Sequence, residues 1–472
     1  MLICQKKSYV NPVNIMHLVH QLSGSIFLHN ASEPSSDDRY SFIAIKPLKI
    51  FNTEDLSGVL QEFKYFIDLN YNNQYDNLPP FIGGLMGYCS YDLITNLEER
   101  IHTAYTKNQN LHKNHHINYP KLQFGLYNQI FAFDNFNKIT YIIINKFLLQ
   151  QLNNNTQQQL EEISQQQLNE LINIYNTARD LQISNIYNSD SKIILPKMQM
   201  QSNFSKYQYI QAINIAKEYI KNGDIFEINL SQCYSSVNQV YNYPTWELFK
   251  QTIYNSPTPF MAYINFKNLT IISASPERFV KINNNIIETK PIKGTIARLN
   301  NTKLDLINQQ TLSNSIKDIA ENTMIVDLLR NDLSKICISE SIRVKELCKL
   351  YSFHNVHHLI STIQGKLSPK NNIFDFITNL FPGGSITGAP KIRAMQIIQE
   401  LEKIPRGIYC GCIAYFSCNN KVDSSIAIRT IIYHNQQLKV AAGGAITLLS
   451  NPDDEYEETE IKINKLLKIL QC

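Results

Sequence analysis

Short apolar runs of strand length, each bounded by turn residues, recur through the first ~145 residues and limit the possible folds more than any other feature. Residues 40–45, 81–88 and 139–144 are examples. Further along the chain, apolar residues also recur with helical spacing between such runs. Because strands and helices are intermixed, the sequence predicts an α+β (mixed α/β) fold.

A Gln- and Asn-rich stretch, residues 149–170, separates two parts of the chain. Its regularly spaced leucines predict an amphipathic helix that leads into a linker. We therefore predict an N-terminal domain over residues 1–150, a Gln/Asn-rich helical linker over 151–200 and a second domain over 201–472. A chain of 472 residues is long enough for two such units, or for one large intertwined α/β body.

Secondary structure is predicted most clearly in the second part. Ser205 caps an amphipathic helix that ends near Gly223, and a strand-like run follows it. The other predicted elements are helices over 313–329, after Pro390 and over 455–470, and a β-ribbon across 408–446.

Charge and hydropathy exclude several classes of function. The 44 basic and 40 acidic residues give a net charge of +4 and form no basic run, so nucleic-acid binding has no electrostatic support. No apolar run approaches the ~20 residues that span a bilayer. The nine cysteines lack the spacing of a zinc site. These features predict a soluble, cytoplasmic protein with reduced cysteines.

Glu321 is a carboxylate on the apolar face of a predicted helix. It shares that face with Ile325 and Leu328, at i+4 and i+7. A buried carboxylate is costly unless a cation, a hydrogen-bond donor or a metal meets it. Periodicity alone leaves two interpretations open, a buried ion pair with a base such as Arg330 or a functional carboxylate.

The last predicted helix carries Glu455, Glu458 and Lys462 at i, i+3 and i+7. Glu458 and Lys462 suit a solvated i, i+4 ion pair, which is the simpler interpretation. Two carboxylates brought together would also suit Mg²⁺, because this ion prefers a few hard oxygen ligands and keeps several waters.

Three further segments suit the binding of an anion. The Gly-rich segment 381–391 ends at a predicted helix start, where free N–H groups can receive a carboxylate. Gly443 and Gly444 form a predicted turn that would let the backbone approach a ligand closely. Arg429 lies in a predicted strand, residues 426–432, where an arginine is either ion-paired or available to an anion.

Lys293 lies in the segment 291–295, Pro-Ile-Lys-Gly-Thr, which is predicted to be a turn after a strand over 286–289. A lone lysine in a loop is usually a solvated charge. Its significance therefore depends on the segments that surround it in the fold.

Eight ordered segments resemble the chorismate-utilising enzyme family, which includes anthranilate synthase component I and aminodeoxychorismate synthase component I. They cover roughly residues 205–470, and residues 39–43 and 83–88 match the family more loosely. Eight motifs in the family's order make a chance match implausible. The eight segments are 223–232, 274–279, 291–295, 321–333, 356–359, 384–391, 406–409 and 455–459.

The resemblance implies an anthranilate synthase component I-like fold of mainly antiparallel sheets packed with helices, with residues 201–472 as the chorismate-binding catalytic domain. It implies that Glu321 and Glu458 bind Mg²⁺ and that Glu277 is a general acid and base. For Glu277, an ion pair with Arg278 or another base is the alternative. The resemblance also implies an active-site role for His358, for which a packing role is the alternative. Tyr409 and Arg429 are implied to hold the enolpyruvyl carboxylate. The full substrate-binding set is Gly294, Thr295, Thr387, Tyr409, Arg429, Gly443 and Gly444.

Residue 293 distinguishes members of the family. Anthranilate synthases typically carry alanine there, whereas aminodeoxychorismate synthases commonly carry lysine. The resemblance thus implies that Lys293 attacks carbon 2 of chorismate as the carbon-4 hydroxyl leaves, and that ammonia then attacks carbon 4 and displaces the lysine. Because only a neutral amine attacks, we expect the pKa of Lys293 to be depressed.

Two departures from the family's pattern and one missing motif refine this expectation. Glu227 stands where many relatives have Gln and where isochorismate and salicylate synthases have a water-activating lysine, so water addition is not expected. Residues 28–31 lack the acidic-Ser pair of tryptophan-sensitive anthranilate synthases. No Gly-x-Cys-x-Gly segment occurs, so ammonia is expected from solution or from a separate glutamine amidotransferase (glutaminase) subunit in a heterodimer. Anthranilate synthase component I and a catalytically silent chorismate-binding subunit are the alternative functions.

Overall fold

A computed structural model describes residues 2–35, 38–52, 56–67, 77–101, 119–152, 156–181, 195–353 and 356–471. Two large β-sheets, called sheet I and sheet II, form the body of the molecule. The strands in chain order are β1 Leu2–Ser8, β2 Ser25–His29, β3 Tyr40–Ile45, β4 Lys49–Asn52, β5 Gly84–Cys89, β6 Leu122–Tyr127, β7 Gln129–Asp134, β8 Ile139–Asn145, β9 Met200–Ser202, β10 Glu227–Ser236, β11 Phe260–Phe266, β12 Leu269–Ser275, β13 Arg278–Asn283, β14 Ile286–Thr289, β15 Ile292–Ala297, β16 Arg343–Ser352, β17 Val356–Lys366, β18 Gly388–Ala389, β19 Cys412–Ser417, β20 Val422–Ile426, β21 Thr430–His434 and β22 Gln437–Ile446.

Sheet I contains twelve strands in the order β1-β8-β7-β3-β2-β11-β12-β21-β22-β10-β18, with β9 paired to β10. Sheet II contains ten strands in the order β15-β17-β14-β13-β20-β19-β5-β6-β4, with β16 paired to β17. Neighbouring strands run antiparallel, as between β10 and β22 in sheet I and between β15 and β17 in sheet II. The predicted α+β fold of mainly antiparallel sheets is therefore confirmed.

Each sheet takes strands from both parts of the sequence. In sheet I, β2 pairs with β11 and places Leu28 opposite Ala262. In sheet II, β5 pairs with β19 and places Cys89 opposite Cys412. Strands from before residue 150 and strands from after residue 200 thus occur together in both sheets. The domain boundary at residues 151–200 stays a prediction.

The helices pack against these sheets. Ser205 begins one of them with a reciprocal capping box, in which its hydroxyl accepts from the Gln208 N–H and the Gln208 side chain accepts from the Ser205 N–H. The predicted helices of the second part are confirmed. Among the described residues, no helix is long and apolar enough to cross a membrane. The helices are α1 Pro12–Val19, α2 Leu56–Phe66, α3 Ile94–Leu97, α4 Lys146–Leu152, α5 Gln157–Asp180, α6 Lys206–Lys221, α7 Thr245–Asn255, α8 Thr302–Ser313, α9 Ile316–Ser334, α10 Asp375–Asn379, α11 Lys391–Glu402 and α12 Pro452–Gln471.

Apolar side chains fill the layer between the sheets. Phe42 and Ile264 of sheet I pack in one buried cluster with Tyr88 and Ile413 of sheet II. Burying a side chain of this size stabilises the fold by roughly 1.5–3 kcal/mol. The layer becomes polar where β10 of sheet I meets β15 of sheet II, and this is the place to which several predicted site residues converge.

Residues 408–446 do not form the single β-ribbon that was predicted. Strands β19 and β20 belong to sheet II, whereas β21 and β22 belong to sheet I. Arg429 lies where the chain crosses between the sheets, with a φ of 51°, a left-handed conformation that cannot continue a strand. The prediction that Arg429 lies within a strand is wrong, because the apolar run around it covers the ends of two strands in different sheets.

Two segments predicted as turns are parts of strands. Lys293 lies in β15, where the pairing with β17 shifts between Ile292 and Thr295. Gly443 lies in β22, and a Cβ at this position would overlap the carbonyl oxygen of Leu230 on the neighbouring strand. Gly294 lies at the irregular part of β15, and Gly443 lies where two strands pack closely. In sequence, a glycine at either kind of position resembles a turn.

Candidate active site

Lys293 joins the two sheets through an ion pair. Its Nζ lies 2.8 Å from Oε1 of Glu227, so β15 of sheet II contacts β10 of sheet I. The Glu227 side chain is fully buried, and only 10% of the Lys293 side chain is exposed. The lysine is therefore not the solvated charge that its segment would indicate in isolation.

The electrostatic environment of Lys293 is opposite to the one predicted. Burial lowers its pKa, but the negative charges of Glu227, Glu321 and Glu277 outweigh burial and raise the pKa above the usual value for lysine. The expectation of a depressed pKa is wrong for the free protein. The sequence could not reveal this effect, because the three carboxylates come from segments far apart in the chain.

Glu277 lies between β12 and β13, close enough to Lys293 for their charges to interact. Burial raises its pKa to about 7, although the Ser385 hydroxyl donates to its Oε1 at 2.7 Å. A carboxyl group with a pKa near neutrality can both give and take a proton. The alternative role, an ion pair with Arg278, is wrong, because Arg278 instead pairs with Asp38 and Asp423.

Glu321 of α9 is the second carboxyl group with a strongly raised pKa. Burial raises the pKa to about 7 against the opposing charge of Lys293, and its buried Oε1 has no hydrogen-bond partner. The predicted alternative partner, Arg330, instead pairs with Asp327 at the surface. Lys317 lies between two acidic groups, 4.0 Å from Glu321 Oε1 and 3.6 Å from Glu455 Oε1.

Glu458 of α12 forms the ion pair that its spacing predicted. Its carboxylate lies 2.7 Å from Nζ of Lys462, and its side chain is half exposed. Burial raises its pKa, but the charge and hydrogen bond of Lys462, together with the charges of Lys317 and Lys293, outweigh burial and lower the pKa. Lys462 also donates to the Gly443 carbonyl at 3.2 Å. Glu455, one turn earlier, is buried and accepts a hydrogen bond from Ser450 at 2.7 Å.

The carboxylate oxygens of α9 and α12 are the kind of ligand that a hard divalent cation prefers. Glu321 provides a buried oxygen without a donor, and the Lys317 ammonium already lies between the two helices. Within the described residues, no three acidic, His or Cys side chains form a complete metal site. Mg²⁺ does not need one, because it commonly binds through one or two carboxylates, ligand oxygens and water.

Arg429 and Tyr409 lie at the other end of the site. The Cys410 N–H bonds to the Ala427 carbonyl at 2.9 Å, which places the Tyr409 turn beside the crossing that carries Arg429. Within the described residues, the Arg429 guanidinium forms no ion pair, and burial lowers its pKa. A cavity of about 300 Å³ opens beside Tyr409 but is not lined by Lys293.

His358 connects the two ends. Its Nδ1 lies 2.7 Å from the Thr295 hydroxyl, and its ring also forms a hydrogen bond with the backbone of Gly294. Burial, and then the nearby charge of Arg429, lower its pKa to about 4, so the ring is neutral at pH 7. Gly294 has a φ of 85°, and a Cβ there would lie 3.0 Å from the Asp318 side chain. Glycine is therefore required beside Lys293.

The other predicted substrate-binding residues have partners within the protein. The buried Thr387 hydroxyl donates to the Gly383 carbonyl at 3.1 Å, which fixes the Gly-rich loop before α11. Gly443 packs against β10, and a Cβ on Gly444 would lie 3.3 Å from Oε2 of Glu455. Gly443 and Gly444 lie in β22 and Thr387 directly precedes β18, and the contacts of all three with a substrate stay a prediction.

The structure adds three residues to the site that the sequence analysis did not assign to it. Glu227 binds Lys293, Ser385 binds Glu277, and Glu455 shares Lys317 with Glu321. The available signal for Glu227 was a charged residue between the apolar Phe226 and Ile228 at the start of strand β10. No pattern signalled Ser385, since its role depends on a contact with a residue 108 positions away.

Comparison with known proteins assigns the chain to one family. The family model of the chorismate binding enzymes matches residues 26–468. Aminodeoxychorismate synthase component 1 of Salmonella typhimurium is 42% identical over 271 residues, which are 57% of this chain and 59% of that protein. The chain thus matches less than two thirds of that relative's length.

Two further relatives match nearly the whole chain. Anthranilate synthase component 1 of Bacillus subtilis is 30% identical over 480 aligned residues, covering 98% of this chain and 90% of that protein. The crystal structure of anthranilate synthase component I from Streptococcus pneumoniae superposes with a TM-score of 0.76 at 26% identity, covering 98% of this chain and 99% of that one. The chain therefore belongs to the chorismate-binding enzyme family.

Proposed function

We propose that the chain is component I of an aminodeoxychorismate synthase, which converts chorismate and ammonia to 4-amino-4-deoxychorismate, a precursor of para-aminobenzoate and folate. The observation that carries the proposal is a buried lysine, Lys293, among Glu227, Glu277 and Glu321 in a chorismate-binding fold. A side-chain amine placed inside the site can act as a nucleophile toward the bound ring. The relative from Salmonella typhimurium, which bears this name, supports the assignment.

The proposed reaction uses the residues of the chain in two stages. In the first, Nζ of Lys293, after losing a proton to solvent, attacks carbon 2, the two ring double bonds shift, and the carbon-4 hydroxyl leaves as water with a proton from Glu277. In the second, ammonia attacks carbon 4, the double bonds shift back, and the carbon–Nζ bond breaks. Glu277 then takes a proton from the new amine, so the sum is chorismate plus ammonia giving product plus water.

Arg429 and Tyr409 would hold the enolpyruvyl carboxylate in this reaction. Arg429 has a guanidinium without a carboxylate partner among the described residues, and its planar donors match a carboxylate. His358 is neutral at pH 7 and fixed by Thr295, so it would orient the substrate rather than add charge.

Mg²⁺ is the cofactor that we propose for the acidic side of the site, held by Glu321 and Glu458. When bound, it would neutralise the ring carboxylate and favour departure of the leaving group. Binding of Mn²⁺, followed by its electron paramagnetic resonance signal, tests this assignment without turnover. We expect Glu321→Gln and Glu458→Gln to weaken binding and Lys465→Gln, an exposed change on α12, to leave it unaltered. Normal binding in both glutamate variants would remove the assignment.

We propose that a separate glutaminase subunit delivers the ammonia and forms a heterodimer with this chain in the cytoplasm. The name of the Salmonella typhimurium relative, component 1, supports a second component. The chain alone should then use ammonium but not glutamine. Turnover of glutamine by the purified chain would contradict this part of the proposal.

Anthranilate synthase component I is the second candidate, because the Bacillus subtilis relative with that name aligns over 98% of the chain. Incubation with chorismate, Mg²⁺ and ammonium separates the two functions. We expect a product that an added aminodeoxychorismate lyase converts to para-aminobenzoate. Fluorescent anthranilate formed without a lyase would overturn the proposal in favour of the second candidate. Absence of any turnover at saturating ammonium would favour a chorismate-binding subunit without activity.

A further inference from the structure

The ion pair between Glu227 and Lys293 is enclosed on the Glu227 side. Glu227 Oε1 accepts from Nζ at 2.8 Å, while the buried Oε2 has no hydrogen-bond partner. Lys293 is thus the only group in the described structure that compensates the charge of this fully buried carboxylate. A buried charge that loses its partner is strongly destabilised, so the protein favours a protonated Lys293 as long as Glu227 is ionised.

The other charges that face Lys293 lie further from it. Glu321 comes from α9, Glu277 from the segment before β13 and Glu458 from α12, and each interacts with the lysine through its charge without a hydrogen bond. Glu227 differs from these three because it touches Nζ. Removal of its charge should therefore affect the state of the lysine more than removal of any other carboxylate.

We propose that Glu227 is a positioning residue that holds Lys293 as an ion-paired ammonium and so keeps the nucleophile unreactive toward electrophiles while the site is empty. The inference deepens the proposed function, on which it rests for the identity of Lys293 as the nucleophile. An unprotonated buried amine would react with any small acyl or carbonyl compound that entered the site. The ion pair prevents this reaction, since an ammonium has no lone pair.

Trace labelling with acetic anhydride tests the proposal. The purified chain is labelled at a fixed pH near 8 without chorismate, and peptide mass spectrometry gives the ratio of acetylation at Lys293 to that at the exposed Lys197. Glu227→Gln preserves the size of the side chain but removes its charge. We expect this variant to raise the ratio by ~10-fold or more, because a contacting opposite charge shifts a pKa by about one to three units.

Two further variants serve as controls. Glu227→Asp keeps the charge and should stay close to the wild-type ratio, whereas Glu321→Gln removes a facing charge that does not touch Nζ and should raise the ratio less than Glu227→Gln. An unchanged ratio in Glu227→Gln would overturn the proposal. Equal increases in Glu227→Gln and Glu321→Gln would also overturn it, because the contact would then have no special effect.

A measurement on the unaltered protein covers the case in which the variants fail to fold. The pH at which acetylation of Lys293 reaches half its maximal rate should lie above that of Lys197. A midpoint equal to or below that of Lys197 would contradict the proposal. Since labelling requires no turnover, its outcome is independent of whether the chain aminates chorismate, and failure of the proposed function would be seen separately in the product assay.

Discussion

At one end of the site, the carboxylate end, the side chains of Glu227, Glu277 and Glu321 surround Lys293. At the other, the cation end, Arg429 lies beside Tyr409 with no carboxylate partner among the described residues. At the first end, the charge of Lys293 is paired with that of Glu227 within the protein. No acidic group of the described residues balances the charge at the second end, which leaves it available to an anion from outside the protein.

This difference indicates how a dianion would be oriented. A substrate carboxylate can bind directly at the cation end, because a buried guanidinium gains from a charged partner. At the carboxylate end, a second substrate carboxylate would meet like charges unless a cation intervened, which is consistent with the Mg²⁺ that we propose for Glu321 and Glu458. The reacting part of the ring would then lie between the ends, beside Lys293 and Glu277.

Replacement of Lys293 should cause the largest loss, because it removes the proposed nucleophile from the carboxylate end. We expect Lys293→Ala to lose carbon-4 amination and the covalent adduct that intact-protein mass spectrometry detects after quenching with chorismate. Lys290→Ala, which breaks a partly buried ion pair of 3.4 Å with Glu288 nearby, is the matched control. Unchanged amination in Lys293→Ala would disprove the covalent mechanism.

Glu277→Gln should cause the next largest loss, on the order of 10²–10⁴-fold in kcat, as is usual for removal of a general acid or base. In the wild type, the pKa of about 7 predicts a bend in the pH profile of kcat/KM. Below pH about 7, Glu277 is protonated and the rate rises with pH because more Lys293 is neutral. Above it, the loss of the acid form offsets the gain in neutral lysine, and the rate levels off. Persistence of the bend in Glu277→Gln would assign it to another group.

Replacement of two buried arginines should distinguish an effect on substrate binding from an effect on the stability of the fold. Arg429→Met should raise the KM for chorismate by roughly 30- to 150-fold, which corresponds to about 2–3 kcal/mol for lost charge-assisted hydrogen bonds. Its free energy of unfolding should change little, because the guanidinium has no ion pair to lose. Arg278→Met, in contrast, leaves Asp38 and Asp423 without their partner and should lower the free energy of unfolding by about 3 kcal/mol. Chemical denaturation and steady-state kinetics on both variants check the contrast, and a normal KM in Arg429→Met would contradict it.

The sequence predicted the elements of the fold well but the environment of the site only partly. The Ser205 capping box and the strand of residues 40–45 depend on local patterns, and both are confirmed. Arg429 was misassigned, because an apolar run cannot reveal that the chain changes sheets within it. The raised pKa of Lys293 depends on Glu227, which is 66 positions away, so periodicity could not predict it.

Ser385→Ala should cause the smallest effect and yet test the carboxylate end most directly. The Ser385 hydroxyl donates to Glu277 at 2.7 Å, and this hydrogen bond lowers the pKa of the carboxyl group against the larger effect of burial. Without it, the bend in the pH profile should move to higher pH, with a change in kcat of at most ~10-fold, the usual scale of one hydrogen bond. Ser424→Ala, which removes a buried hydroxyl bonded to the Val280 carbonyl at 2.8 Å, should leave the bend in place. If both variants shift the bend equally, it reports the general packing of the site rather than the protonation of Glu277.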